Sequence, residues 1–360
     1  MPSSRREPGA RSAGRPGAAH AAPHAAPAPI EHYQRSARRT LPIVILTPAE
    51  VTGPRTAPAA TTGVHPRLST MRAVDTIERV GVVGVGLMGS GIAEVCARNG
   101  IDVVACESDA EAAERGRARV LKSLDRGVGA GKLDEAARDD AVSRLTFTTD
   151  FGELADRQLV VEAVIEDEAA KLEVFRTLDQ VIEDRGAILA SNTSSIPIMK
   201  LGIVTDRPEQ VVGIHFFNPV PVLRLVELVT SLLTSPDTTA RAGEFAEQLG
   251  KRVIRSQDRA GFIVNALLIP YILSAIRMME SGFATAEDID VGMVEGCNHP
   301  MGPLRLADLI GLDTTQAVAE SLYEEFKEPL YAPPPMLSRM VEAGLLGRKA
   351  SRGFYDYGDR

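Results

Sequence analysis

The chain contains no tryptophan and few other aromatics (4% in all), an unusual shortage that by itself points to no function. With 360 residues it is still long enough for two domains and a large core. Cysteine is nearly absent: Cys96, Cys106 and Cys297 lie far apart, with no Cys-x-x-Cys pair and no histidine cluster beside them. That pattern excludes a zinc site and suits reduced thiols, so a cytoplasmic location and no bound metal are expected. Histidine is scarce where it matters, because after residue 70 only His215 and His299 remain. A histidine-dependent reaction therefore has two candidates. No apolar run approaches the roughly 20 residues that span a bilayer, and no secretory signal opens the chain, so a soluble protein without a membrane partner is expected. The net charge is −8 although residues 1 to 70 are basic, which makes the remainder more acidic still and a nucleic-acid partner unexpected.

Residues 1 to 70 lack lysine altogether, and their only acids are Glu7, Glu31 and Glu50 amid alanine, proline, arginine and glycine. Such a composition cannot bury enough apolar surface to fold, so residues 1–74 are expected to be a disordered extension. Leu41-Pro-Ile-Val-Ile-Leu46 is the exception, and reads as an isolated sticky run rather than a strand. Prolines interrupt any amphipathic helix that an organelle-import leader would need. Ordered patterning starts with Asp75-Thr-Ile-Glu-Arg-Val, which makes Met71 the expected working start.

From Arg79 onward, short apolar strands alternate with helical patterns. A strand over Val80 to Val85 is followed by a glycine turn, a helix from Met88 to Asn99 and a strand from Asp102 to Cys106. Helical patterns follow at Ala110 to Gly127 and Leu133 to Ser143, and buried strands at 145–148, 159–163, 187–190 and 211–214. This alternation predicts an α/β fold with a doubly wound, mainly parallel sheet covered on both faces. After Ser256 only amphipathic helical patterns remain: Ala260 to Ser281, Ala286 to Gly296, Leu304 to Ile310, Thr314 to Phe326 and Pro335 to Gly344. The expected domains are thus the extension (1–74), an α/β domain (75–257) and an all-α C-terminal domain (258–360). The helical domain has more apolar faces than a bundle of its size needs, and a homodimer through it would cover the surplus.

Gly84-Val-Gly86-Leu87-Met88-Gly89 sits between a strand and a helix, the context in which a Gly-x-Gly-x-x-Gly run marks a dinucleotide site. Gly84 permits the tight turn, Gly86 lets the backbone approach a pyrophosphate, and Gly89 allows close helix–strand contact. The amino end of the helix then faces the phosphates. Glu107 ends the second strand about twenty positions on, where a carboxylate accepts bonds from ribose hydroxyls and repels a 2′-phosphate, so NAD is favoured over NADP.

His215 closes the strand Gln210-Val-Val-Gly-Ile214, and Glu227 lies inside a second apolar run, Leu225-Val-Glu-Leu-Val229. A lone acid in an aliphatic run is costly to bury without a partner. An imidazole beside a buried carboxylate is held in one tautomer and stabilised as imidazolium during proton transfer. Blander roles stand beside these: Ser194 and Ser195 as helix caps, Asn265 as a bonder within its helix, and His299 as a structural residue of a Pro/Gly-rich loop.

Taken together with Ser191-Asn-Thr-Ser-Ser195, His215-Phe-Phe-Asn-Pro-Val-Pro221, Gly261-Phe-Ile-Val-Asn265, Asn298-His-Pro-Met-Gly-Pro303 and the closing Gly347-Arg-Lys-Ala-Ser-Arg-Gly-Phe-Tyr355, the glycine turn makes the chain resemble the L-3-hydroxyacyl-CoA dehydrogenases, above all the bacterial 3-hydroxybutyryl-CoA enzymes. The resemblance runs from about Ile77 to the C-terminus. It implies a Rossmann-type α/β domain, NAD as cofactor, an acyl-CoA substrate and reversible oxidation of (S)-3-hydroxybutanoyl-CoA in butanoate metabolism or fatty-acid β-oxidation. It also implies His215 as general base with Glu227 orienting it, Ser194 on the reacting oxygen and Asn265 holding the substrate. Glu166, Lys171, Asn192, Asn218 and Lys349 would join Gly84, Gly86, Leu87, Met88, Gly89 and Glu107 in binding the cofactor. The family often has Asp at position 107. The basic stretch from Arg115 to Lys132 suits the phosphates of CoA or a merely solvated helix face. Action on a free 3-hydroxy acid such as L-gulonate, or NAD binding without catalysis, remain alternatives. The β-hydroxyacid dehydrogenases share the glycine turn but rely on a lysine where this chain presents His215.

Overall fold

The structure, a computed structural model, describes residues 76–358. The extension over residues 1–74, its Leu41–Leu46 run and the start at Met71 lie outside those residues.

The first half alternates as its sequence does. β1 (Arg79–Val83) leads through the glycine turn to α1 (Leu87–Arg98) and β2 (Asp102–Cys106). Next come α2 (Ala110–Gly129), α3 (Glu135–Ser143) and β3 (Leu145–Thr148). β4 (Leu159–Glu162), α4 (Glu168–Val181), β5 (Ile188–Ser191), α5 (Ile198–Gly202) and β6 (Val211–Phe216) continue the pattern. β7 (Leu225–Thr230), α6 (Pro236–Gln248) and β8 (Arg252–Gln257) complete the sheet. The eight strands lie in the order β3-β2-β1-β4-β5-β6-β7-β8. All neighbours are parallel except β6 and β7, so β7 and β8 run against the other six. Strand order reverses between β1 and β4, and in such sheets ligands bind outside the carboxyl ends of the strands at the reversal.

Two apolar layers sandwich the sheet, one built on Ile92, Val103, Ile214 and Phe245, the other on Leu154, Phe175, Leu189 and Ile198. Burial of each such side chain contributes about 1.5–3 kcal/mol, which is why the strands between the two edges of the sheet are rich in aliphatic residues. The remaining chain is helical among the described residues: α7 (Val264–Glu280), α8 (Ala286–Cys297), α9 (Pro303–Ile310), α10 (Leu312–Phe326) and α11 (Pro335–Glu342). These helices share a core of their own around Ile272, Leu304, Leu312 and Leu337. No helix among the described residues is long and apolar enough to cross a membrane.

The structure amends four sequence expectations. β1 stops at Val83, because Gly84 turns the chain out of the sheet at φ +86°. β6 runs on to Phe216, so His215 is held within the strand rather than closing it. The helix expected from Ala260 starts at Val264, since Gly261 and Phe262 both have positive φ. α6 and β8 occupy a stretch to which the sequence pattern assigned no element.

Candidate active site

The site grows from the ends of β4, β5 and β6 and from the first turns of α1 and α7. At the glycine turn, a Cβ on Gly89 would lie 1.8 Å from the Gly84 carbonyl oxygen, so only glycine lets α1 pack this close to β1. A Cβ on Gly86 would meet nothing within 4 Å. α2, α3, α4, α6 and α8 carry side-chain caps from Asp109, Asp134, Asp167, Ser235 and Thr285, whereas α1 has none. Open space beside Gly86 and free amino-end N–H groups form a cradle that suits a pyrophosphate. Leu87 is exposed at the head of this helix, and Met88 lines the cavity beyond it.

Two adjoining cavities share Ala163 and Val164. The first, about 540 Å³, is lined by Gly84, Gly86, Glu107 and the apolar Phe151 and Val174. Glu107 accepts hydrogen bonds there from the Val85 N–H (2.5 Å) and the Ser108 N–H (3.2 Å), which fix its carboxylate at the cavity wall. The second, about 480 Å³, is lined by Met88, Glu166, Lys171, Asn192, Ser194 and the α10 residues Asp313 and Thr314. A dinucleotide threaded through both fits the residues present.

Beyond the second cavity a relay of side chains begins. The Ser194 hydroxyl lies 3.1 Å from His215 Nε2, and His215 Nδ1 lies 2.7 Å from Glu227 Oε2. Antiparallel pairing of β6 with β7 sets His215 directly opposite Glu227, and the shared pleat turns both side chains to one face. His215 is 4% exposed and Glu227 fully buried. Glu227 Oε1 also accepts the N–H groups of Ile263 (3.0 Å) and Val264 (2.9 Å). As a carboxylate Glu227 only accepts, so Nδ1 carries the imidazole hydrogen and Nε2 offers its lone pair to the Ser194 hydroxyl. Phe217 and Phe262 flank the imidazole, with centroids 4.6 and 5.5 Å away.

The loop carrying Ser194 is held by carboxylates. Glu166 accepts the Thr193 hydroxyl, the Ser194 N–H (2.9 Å) and the N–H and hydroxyl of Ser195 (3.1 and 3.0 Å). Burial pushes the Glu166 carboxyl up, but Lys171 and these donors outweigh it and hold it below its usual range. Lys171 is itself buried, with its ammonium 2.6 Å from Glu162 and 3.3 Å from Glu166. Glu162 takes the Ser191 hydroxyl on its other oxygen (2.7 Å). Asn192 Oδ1 accepts the Phe216 N–H (2.9 Å), which ties the end of β5 to β6 beside His215.

The remaining residues named from sequence are nearby but less committed. Asn265 follows Val264 in the first turn of α7, half-buried and without a side-chain hydrogen bond among the described residues. Asn218 is exposed just past β6, at a cis bond to Pro219. Lys349 pairs with Asp313 at the rim of the second cavity. Its loop is pinned because Asp308 accepts the N–H groups of Phe354 and Tyr355 and the Tyr357 hydroxyl. His299 bonds Tyr271 (3.2 Å) at an apolar groove that Ile263 and Val264 also line. In the basic stretch of α2, Arg115 and Arg117 pair with Glu111 and Glu114, and Arg119 donates to the Val85 carbonyl. Sequence reasoning missed Glu162 and Phe262. Glu162 ends the aliphatic run Leu159-Val-Val-Glu162, the signal that singled out Glu227, while a left-handed phenylalanine leaves no mark in sequence.

Comparison with known proteins completes the description. Residues 79–259 match the family model of the 3-hydroxyacyl-CoA dehydrogenase NAD binding domain, and residues 261–357 that of the 3-hydroxyacyl-CoA dehydrogenase C-terminal domain. A 3-hydroxybutyryl-CoA dehydrogenase of Mycobacterium tuberculosis is 61% identical over 284 residues, covering 79% of this chain and 99% of the relative. The crystal structure of M. tuberculosis FadB2 superposes with a TM-score of 0.78 at 61% identity, over 79% of this chain and 100% of that one. That of (S)-3-hydroxybutyryl-CoA dehydrogenase from Ralstonia eutropha gives a TM-score of 0.75 at 45% identity, with the same two coverages.

Proposed function

The chain belongs to the 3-hydroxyacyl-CoA dehydrogenase family, and from that premise we propose that it is an NAD-dependent enzyme that interconverts (S)-3-hydroxybutanoyl-CoA and acetoacetyl-CoA, with His215 as its general base. The observation that carries this reading is the Ser194–His215–Glu227 relay at the inner end of the paired cavities. His215 Nε2 takes the proton of the 3-hydroxyl as hydride departs from C3. Bound NAD supplies the hydride acceptor, and NADH the donor in reverse. Glu227 stabilises the imidazolium that forms, and the burial of both groups strengthens that interaction. Ser194 hydrogen-bonds the substrate oxygen and polarises the ketone in the reducing direction. Asn265 holds the acyl group from α7. The glycine turn with Leu87 and Met88, together with Glu107, Glu166, Lys171, Asn192, Asn218 and Lys349, binds the cofactor, Lys171 through its hold on Glu166.

Residues 75–257 act as the cofactor domain and 258–360 as the substrate and dimerisation domain. The exposed apolar side chains Leu267, Phe283, Val291 and Leu309, all in the helical part, support a homodimer. Cys96 and Cys106 are buried and unpaired, which supports a reducing, cytoplasmic setting. Side-by-side turnover of acetoacetyl-CoA, longer 3-ketoacyl-CoAs and free 3-hydroxy acids tests the substrate. The expected result is the highest kcat/KM with acetoacetyl-CoA. Preference for a free acid such as L-gulonate would overturn the acyl-CoA assignment.

A further inference from the structure

α7 begins without a side-chain cap of its own. Its cap is Glu227, which reaches across from β7 and accepts the Ile263 and Val264 N–H groups on one oxygen while His215 takes the other. The aim of those two N–H groups is set by the two residues before them. Gly261 has φ +72°, and a Cβ there would stand 2.8 Å from Leu322 Cδ2 and 3.0 Å from the Ala266 nitrogen. Phe262 has φ +49°, a left-handed conformation that bulky side chains avoid. Its neighbours hold it there. The Phe262 N–H donates to the Arg259 carbonyl (3.0 Å), and Glu325 of α10 fixes Arg259 (2.7 Å) and the Ala260 N–H (2.9 Å). Asp258, one residue earlier, accepts the first N–H groups of α5 (2.8 Å each). The Phe262 ring is 7% exposed and packs edge-on to the imidazole, within the same apolar layer as Ile198 and Val229.

We propose that Phe262 is a positioning residue for the His215–Glu227 pair: its left-handed backbone points the amino end of α7 at Glu227, and its ring keeps the imidazole in line with both partners. Strain held by surrounding structure at a site of chemistry is the usual signature of such a role. The inference rests on the reading of His215 as base, and its test separates the two. Phe262→Ala and Phe262→Tyr are compared with wild type by kcat and KM for acetoacetyl-CoA, by NADH binding, and by the imidazole Nδ1–H resonance of His215 in substrate-free protein. Loss of the ring should lower kcat about tenfold or more while KM and NADH affinity stay within about twofold, and Phe262→Tyr should restore kcat. The Nδ1–H resonance should be sharp in wild type and Phe262→Tyr, and lost or broadened in Phe262→Ala. Should Phe262→Ala fail to fold, Phe262→Asn, which tolerates the left-handed backbone, takes its place with the same expected losses. Wild-type kcat together with an unchanged resonance in the ring-less variant would overturn the proposal. If the wild-type protein turns over no substrate, the acyl-CoA reading fails, while the resonance still decides the role of Phe262.

Discussion

Glu227→Gln removes one charge and almost no volume, so its consequences can be worked from the geometry. Glu227 accepts three hydrogen bonds, from His215 Nδ1 at 2.7 Å and from the Ile263 and Val264 N–H groups at 3.0 and 2.9 Å. A glutamine must choose an orientation. With its NH2 toward α7, two partly buried backbone donors lose their acceptor at up to about 1–3 kcal/mol each, so the amide oxygen turns toward α7 instead. The NH2 group then faces Nδ1 and donates to it. That forces the imidazole hydrogen onto Nε2, the atom whose lone pair must take the substrate proton. The loss of general-base assistance should cost about 10²–10⁴ in kcat, equivalent to about 2.7–5.5 kcal/mol of barrier. The fold should lose far less, about 1–2 kcal/mol, because both backbone bonds survive with a neutral acceptor. Initial rates of NADH oxidation by acetoacetyl-CoA, fluorescence titration of NADH and urea unfolding measure the three quantities. A folded Glu227→Gln variant within about threefold of wild-type kcat would refute the tautomer argument.

Further outcomes follow from the glycine turn and the buried carboxylates. Gly86→Ala, with open space around its new Cβ, should leave stability nearly unchanged yet weaken NADH binding about tenfold or more, whereas Gly89→Ala should damage the fold itself, as thermal melting would register. Glu162→Gln deprives the buried Lys171 ammonium of its nearest carboxylate and should cost about 3–5 kcal/mol in urea unfolding, part of which Lys171→Met should recover in the double variant. Glu166 has a folded-state carboxyl held below its ordinary value of 4.5, so the folded chain takes up that proton less readily than the unfolded one. Its contribution to stability is therefore present above the ordinary value and lost as pH falls through the folded one; Glu166→Gln should flatten the acid limb of stability below that ordinary value, and superimposable limbs would contradict this.

The alternation of strands and helices was legible because a sheet buried on both faces demands long aliphatic runs, and the glycine turn because only glycine fits beside Gly84. Glu227 stood out as an acid inside such a run, as Glu162 also is, and it proved to face His215. β8 was missed because it is an edge strand whose side chains stay largely in contact with solvent, so Arg252-Val-Ile-Arg-Ser-Gln257 never shows an aliphatic run. α6 was missed because the pattern of its buried residues Ala242, Gly243, Phe245 and Ala246 is weak in bulk. The start of α7 was misjudged for a different reason. Its boundary is set by a left-handed Phe262 held in place by tertiary contacts, and no local propensity predicts that. The links from Glu162 through Lys171 to Glu166 and the Ser194 loop are likewise tertiary, joining β4, α4 and β5 across the sheet end.

The central claim is that His215 is the base of an acyl-CoA dehydrogenation, and NADH oxidation with acetoacetyl-CoA by wild type and His215→Gln tests it most directly. The account predicts turnover by wild type and a loss of at least about a hundredfold in His215→Gln, with NADH binding intact. Undiminished turnover by His215→Gln, or none by a folded wild-type protein that binds NADH, would contradict it.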